Sequence, residues 1–153
     1  MKEKMCCFDG EVMLPDKAKT DKLRNVIIQL IEKEGVKRFC FMEKSGLDST
    51  ATAILKELKN KYREISIGLV FPNIDIKTVL LYEESLKEYD FFLSDKISFQ
   101  TENGWKIKKW NYYMVDCSDY LVCDITTKWG RATDTLKYAE EKGNIRIINI
   151  AKM

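Results

Sequence analysis

The sequence predicts an α/β protein: a Rossmann-like, doubly wound and mostly parallel sheet flanked by helices on both faces. Three observations carry this expectation. Short apolar runs alternate with longer stretches whose apolar residues recur at helical spacing. Several of the short runs are almost continuously apolar rather than alternating, as strands covered on both faces are. Helical stretches separate successive runs, which makes βαβ units with right-handed crossovers. The 153 residues are read as one domain over 1–153, long enough to bury roughly two-thirds of its unfolded surface.

The elements follow in order. Lys4 to Phe8 is a first strand, ending at the Asp9-Gly10 turn signal. Lys17 to Glu34 carries Leu23, Val26, Ile27, Leu30 and Ile31 at helical spacing, with Gly35 as its C-cap. Val36 to Met42 is the second strand. Asp48, Ser49 and Thr50 are cap-type residues before a helix running to about Lys61. Ile65 to Phe71 is a third strand, stopped by Pro72, and Ile74 to Tyr89 is helical. Asp90 to Ser94, Asp119 to Ile125 and Ile145 to Ile150 are three more strands. Ala132 to Lys142 is the helix between the last two, closed by Gly143-Asn144. Asp95 to Trp105 is the least regular stretch and is expected to be a loop or lid.

Composition excludes several functions. Hydrophobic residues make up 45% and charged residues 33%, ordinary values for a globular domain. Twenty-six basic against 24 acidic residues leave a net charge of +2, which argues against nucleic acid and membrane surfaces as partners. Lys106, Lys108 and Lys109, interleaved with Trp105 and Trp110, form the nearest thing to a basic patch and read as a solvated face. Met1 to Lys4 is not followed by the apolar core of a signal peptide, and no stretch approaches a membrane span. A cytoplasmic location is therefore expected. The five cysteines are odd in number and form no C-x-x-C pair, so buried structural thiols are expected and no metal site. Cys6 and Cys7, adjacent in a strand, must face opposite sides. Histidine is absent, which removes Ser-His-Asp and Cys-His catalysis and most zinc sites.

In open α/β sheets ligands bind beyond the carboxyl ends of the strands. That selects the loops Asp9 to Val12, Glu43 to Ser49, Pro72 to Ile74 and Thr126 to Thr133. "EKSGLDST" has one glycine, a lysine and two hydroxyls with which to cradle an anion, against the charges of Glu43 and Asp48. "TTKWGRATDT" offers a Gly130 turn and Arg131 as a second anion corner, or else a loop and a helix cap. Trp110, Tyr113 and Met114 lie at helical spacing and read as core or interface. Asn111 and Asp116 are the polar exceptions there, suited to a ligand or to capping.

These motifs, taken in order, resemble the small stand-alone proteins of the SLOG superfamily, named for the SMF/DprA and LOG proteins, in their YpsA-like branch. The resemblance runs from about Met5 to Ile150. Its most specific element is "WNYYMVDCSDYLV", similar to R-N-x-x-M-V-D-x-S-D. Asn111, Met114, Val115, Asp116, Ser118 and Asp119 match, and Trp110 replaces the arginine. "CCFDGEV" resembles a strand ending in T-G-H-R, of which Gly10 survives beside Asp9, Glu11 and Val12. In the S-G-G-x-x-G-x-D segment Gly46 and Asp48 match, while Phe41, Met42 and Glu43 replace the serine and paired glycines. The late G-G-T loop corresponds to Gly130, Arg131 and Ala132.

The resemblance implies a nucleotide or nucleotide-derived ligand at these loops. The departures fall on the phosphate-facing positions, where Glu11 and Glu43 bring charge that repels a phosphate by several kcal/mol at low effective dielectric. Lys137 stands where LOG hydrolases carry their acidic residue, so no catalytic residue is assigned. The expected function is a divergent, non-catalytic SLOG-fold binding protein that needs no cofactor. Its ligand residues would be Asp9, Gly10, Glu11, Lys44, Ser45, Gly46, Asp48, Asn111, Asp116, Gly130 and Thr133. One alternative is a LOG-like nucleoside-monophosphate phosphoribohydrolase using Asp9 or Glu11. Another is a homo-oligomeric interaction protein whose pocket is filled by Met42, Trp110 and Tyr112.

Overall fold

The computed structural model describes residues 3–11, 16–42, 46–71, 87–94, 98–101, 104–107 and 110–153. Its main sheet contains β1 (Met5–Gly10), β2 (Arg38–Phe41), β3 (Ser66–Phe71), β4 (Phe91–Ser94), β7 (Tyr120–Asp124) and β8 (Arg146–Asn149). Their order across the sheet is β4-β3-β2-β1-β7-β8, and every pairing is parallel. The fold is the expected Rossmann-like α/β sheet. The strand order reverses direction between β1 and β7, so the topological switch point lies there.

Strand alternation sends two sets of side chains to two cores. Cys6, Phe8, Phe39, Phe41, Ile67, Leu69 and Val122 pack on one face against α1 (Lys17–Glu32) and α2 (Gly46–Leu58). Cys7, Cys40, Val70, Leu121 and Cys123 pack on the other against α3 (Trp110–Asp116) and α4 (Arg131–Lys142). The adjacent thiols Cys6 and Cys7 thus do face opposite sides. The stacked rings of Phe8 and Phe41, 4.7 Å apart, fill the first core beneath α2.

The first two helices have local reasons to start. Asp16 caps α1, its Oδ1 accepting the N–H of Ala18 at 2.9 Å. Gly35, at φ +70, then turns the chain into the left-handed region, and the Val36 N–H reaches the Leu30 carbonyl. α2 begins at Gly46, not after Asp48 to Thr50, so Asp48 stands in its first turn, where a carboxylate complements the helix dipole. Gly10 lets that turn approach β1: a Cβ at position 10 would meet the Leu47 Cβ at 3.1 Å and the Asp124 carbonyl at 3.3 Å. At the sheet edge, a Cβ on Gly68 would meet the Phe91 ring at 2.2 Å.

β7 is set in register by Asp119. Its backbone N–H reaches the Met5 carbonyl at 2.8 Å, and its carboxylate accepts the Met5 N–H at 2.9 Å. β8 is one residue shorter at each end than expected. It gives way to a 3-10 helix (Ile150–Lys152) capped by Asn149, whose Oδ1 accepts the Ala151 N–H at 3.2 Å. The same side chain pairs with Ile125, accepting its N–H at 3.1 Å and donating to its carbonyl at 2.9 Å.

The stretch expected as a loop or lid contains a two-stranded antiparallel ribbon instead, β5 (Ser98–Thr101) with β6 (Gly104–Ile107). Asn103-Gly104 between runs with β-branched and aromatic residues is the sequence signal that favours it. The expected helix Ile74 to Tyr89, the loop Pro72 to Ile74 and the Lys108-Lys109 part of the basic patch lie outside the described residues, apart from 87–89.

Candidate functional site

The switch point is lined by the end of β1 and the loop from β7 into α4. Asp9 leaves β1 toward α4 and is fully buried. Its carboxylate receives one guanidinium nitrogen of Arg131 at 2.8 and 2.7 Å, the Thr135 hydroxyl at 2.6 Å and the N–H of Gly10 at 2.9 Å. Arg131 and Thr135 are one turn apart on α4, so a single helix face supplies both donors. The Thr135 hydroxyl has one proton, and the short bond to the charged oxygen takes it in preference to the Arg131 carbonyl at 3.1 Å. Its lone pair accepts from the buried Asn111 Nδ2 at 2.8 Å. Four side chains from β1, α3 and α4 are thereby locked together.

A cleft of about 390 Å³ opens above this network, lined by Asn111, Gly130, Arg131 and Asp134. Gly130 stands at φ +110, outside the range of ordinary L-residues, and among the described residues no side chain caps α4 there. The Asp134 Oδ1 accepts the Tyr112 hydroxyl at 2.8 Å, and Tyr112 in turn stacks on Tyr138 with ring centres 4.0 Å apart. Trp129, 77% exposed, precedes Gly130 in the chain.

Glu11 reaches from the end of β1 to the β7–α4 loop. Its carboxylate accepts the N–H groups of Thr126 at 2.5 Å and Thr127 at 2.7 Å, with the Thr126 hydroxyl at 3.1 Å. The Thr127 N–H foremost, then that of Thr126, holds the carboxyl below its ordinary range against the opposing effect of desolvation. Behind the loop Thr133 donates to the Thr127 carbonyl at 3.0 Å. On the opposite face of the sheet Asp124 is buried; one oxygen meets Lys19 Nζ at 3.0 Å and the other has no hydrogen-bond partner among the described residues.

Of the residues expected to bind ligand, the switch point brings together Asp9, Gly10, Glu11, Asn111, Gly130 and Thr133. Gly46 and Asp48 lie at the start of α2, and Asp48 borders a separate cavity of about 450 Å³ with Ser49, Thr52, Lys56, Glu88 and Tyr89. Asp116 ties α4 to α3 by accepting the Tyr138 hydroxyl at 2.7 Å and the Lys142 ammonium at 2.5 Å. Lys44, Ser45 and the neighbouring Glu43 lie outside the described residues. Of the three expected pocket fillers, Met42 is buried in the α3–α4 core. Trp110 is bound through its indole N–H to the Val70 carbonyl at 2.6 Å, and Tyr112 lies in the stacked pair.

Thr126, Thr127 and Thr135 were absent from the expected ligand residues, as was Arg131, which the sequence named only as a donor at a second anion corner. The spacing of Arg131 and Thr135 on α4 and the paired hydroxyls directly after β7 are the signals that pointed to them. Among the described residues no group of three or more carboxylates and thiols is placed to hold a metal ion. No helix among them is long and apolar enough to cross a membrane.

The chain matches no family model and no curated protein.

Proposed function

We propose that this chain is a non-catalytic binding domain for a nucleotide-derived ligand, seated across the switch point between β1 and β7. The observation that supports it is the Arg131 guanidinium, fixed by the buried Asp9 at the edge of the cleft with 39% of its side chain exposed. A cation held in place by a buried carboxylate loses little freedom on binding and suits a phosphate or another planar or charged acceptor. The resemblance to the SLOG superfamily supports the same ligand class. Absence of catalysis is supported by the state of the nearby carboxylates. Asp9 is occupied by Arg131 and Thr135, Glu11 by two amides and Asp134 by Tyr112. The LOG-like hydrolase alternative needs one of them free to exchange a proton with substrate.

A thermal-shift panel of AMP, ADP-ribose, cyclic ADP-ribose, NAD, cyclic dinucleotides and ribose 5-phosphate tests this. A true ligand at 100 times its dissociation constant stabilises the fold by about 2.7 kcal/mol. The stabilisation should disappear in Arg131→Met, and a panel with no shift would sink the proposal.

One observation favours a second reading, an interaction protein assembling as a homo-oligomer with a degenerate pocket. Glu11 takes the loop amides that an anion would otherwise use. Light scattering on the purified chain decides this point, since a monomer at micromolar concentration removes the second reading.

A further inference from the structure

Glu11 lies immediately after β1, and its carboxylate crosses the switch point to a loop of another strand, more than one hundred residues later in the chain. One oxygen accepts two consecutive backbone N–H groups, at 2.5 and 2.7 Å, while the second accepts the Thr126 hydroxyl at 3.1 Å. Consecutive amides converging on one oxygen form the concavity that elsewhere receives a free anion. The backbone here is braced independently of Glu11. The Thr127 carbonyl accepts from Thr133 at 3.0 Å, the Thr127 hydroxyl donates to the Trp129 carbonyl at 3.0 Å, and Asn149 fixes Ile125. The donors are therefore held in place by the fold rather than gathered by the carboxylate. Glu11 is also only partly buried, so its side chain can turn out to water without opening the core.

We infer that the Thr126–Thr127 loop is an oxyanion seat and that Glu11 is its intramolecular occupant, so that an external oxyanion binds there by displacing Glu11. The natural anion's identity rests on the ligand reading above; the seat itself does not. An occupant present 90–99% of the time lowers the apparent affinity for a competing anion by about 10- to 100-fold. The seat then discriminates by exchange. A ligand gains from the loop only what its anionic group offers beyond Glu11.

The experiment titrates inorganic phosphate, and separately acetate, into the full chain at pH 7 and fixed ionic strength. Wild type, Glu11→Ala and Glu11→Gln are compared through the amide NMR signals of Thr126 and Thr127. Glu11→Ala should bind at least one of the two anions ten times or more tightly than wild type, with shifts centred on those two amides. A gain for phosphate assigns the seat to phosphate-type groups, and a gain for acetate alone assigns it to carboxylates. Glu11→Gln keeps a neutral acceptor in the seat and should gain less. A folded Glu11→Ala protein within twofold of wild type for both anions overturns the inference. Should Glu11→Ala fail to fold, an unchanged affinity in Glu11→Gln overturns it instead. Gain in Glu11→Ala alongside a flat nucleotide panel keeps the seat and removes the nucleotide reading.

Discussion

Arg131→Met separates the two halves of the buried ion pair. Asp9 is fully buried, whereas 39% of the Arg131 side chain is exposed. Removing the guanidinium strands a carboxylate in the interior, which typically costs about 3–5 kcal/mol. The Thr135 hydroxyl at 2.6 Å and the Gly10 N–H at 2.9 Å remain with it, which places the cost near the lower end, about 3 kcal/mol. The reverse change, Asp9→Ala, leaves no charge inside. The guanidinium turns to water, and the Thr135 hydroxyl falls back on the Arg131 carbonyl 3.1 Å away, so about 1–2 kcal/mol is lost. With Asp9 gone, adding Arg131→Met should cost under about 0.5 kcal/mol, as for an ordinary surface position. Urea melts of the two single variants and the double variant measure all three values. For a chain of this size about 3 kcal/mol corresponds to a melting-temperature drop of roughly 6–12 °C. The reasoning is refuted if Arg131→Met costs less than Asp9→Ala, or if the double variant equals the sum of the singles.

Gly10→Ala should lose about 1–3 kcal/mol by pressing Leu47 and the Asp124 carbonyl, both within 3.3 Å of the added methyl. Gly68→Ala should lose more, since its Cβ would fall 2.2 Å from the Phe91 ring, and Phe91→Leu in the same chain should recover part of the loss in a thermal melt. The native protein at pH 8 should present at most one thiol, the half-buried Cys117, to Ellman's reagent, against five after denaturation. Burial pushes Cys40 and Cys123 up to about 12 and raises Cys6 and Cys7, so little thiolate is available to react. A second fast-reacting native thiol would contradict the packing described for β1, β2 and β7.

The parallel sheet was legible because its strands are buried on both faces, which leaves apolar runs such as Met5 to Phe8 that no exposed element could carry. The start of α2 was misplaced because Asp, Ser and Thr suit both an N-cap and a first turn, and position 48 takes the second role. The β5–β6 ribbon was missed although Asn103-Gly104 announces it, because the flanking strands are only four residues each. The site was half legible. Asp9, Gly10 and Gly130 stand at strand ends and loops that topology alone selects, whereas Asn111 lies within α3 and stood out only as a polar exception in its stretch. The partnership of Asp9 with Arg131 has no local signature, since 122 residues separate them. Glu11 was read as a charge that repels a phosphate, but its partners are main-chain N–H groups, which every residue carries and no side-chain pattern reveals.

Asn149 decides where the sheet stops. Its side-chain amide pairs with both polar groups of Ile125, doing for one rung what the backbone of a continuing strand would do. The next residue is Thr126, the first whose N–H turns away from the sheet toward Glu11. Only an amide can both give and accept in that position: an aspartate would meet the Ile125 carbonyl with a like-signed oxygen, and a serine is too short to span the pair. The point at which the chain leaves β7 for that loop is thus measured off by a single side chain of β8, the last ruled mark before the chain is free to turn.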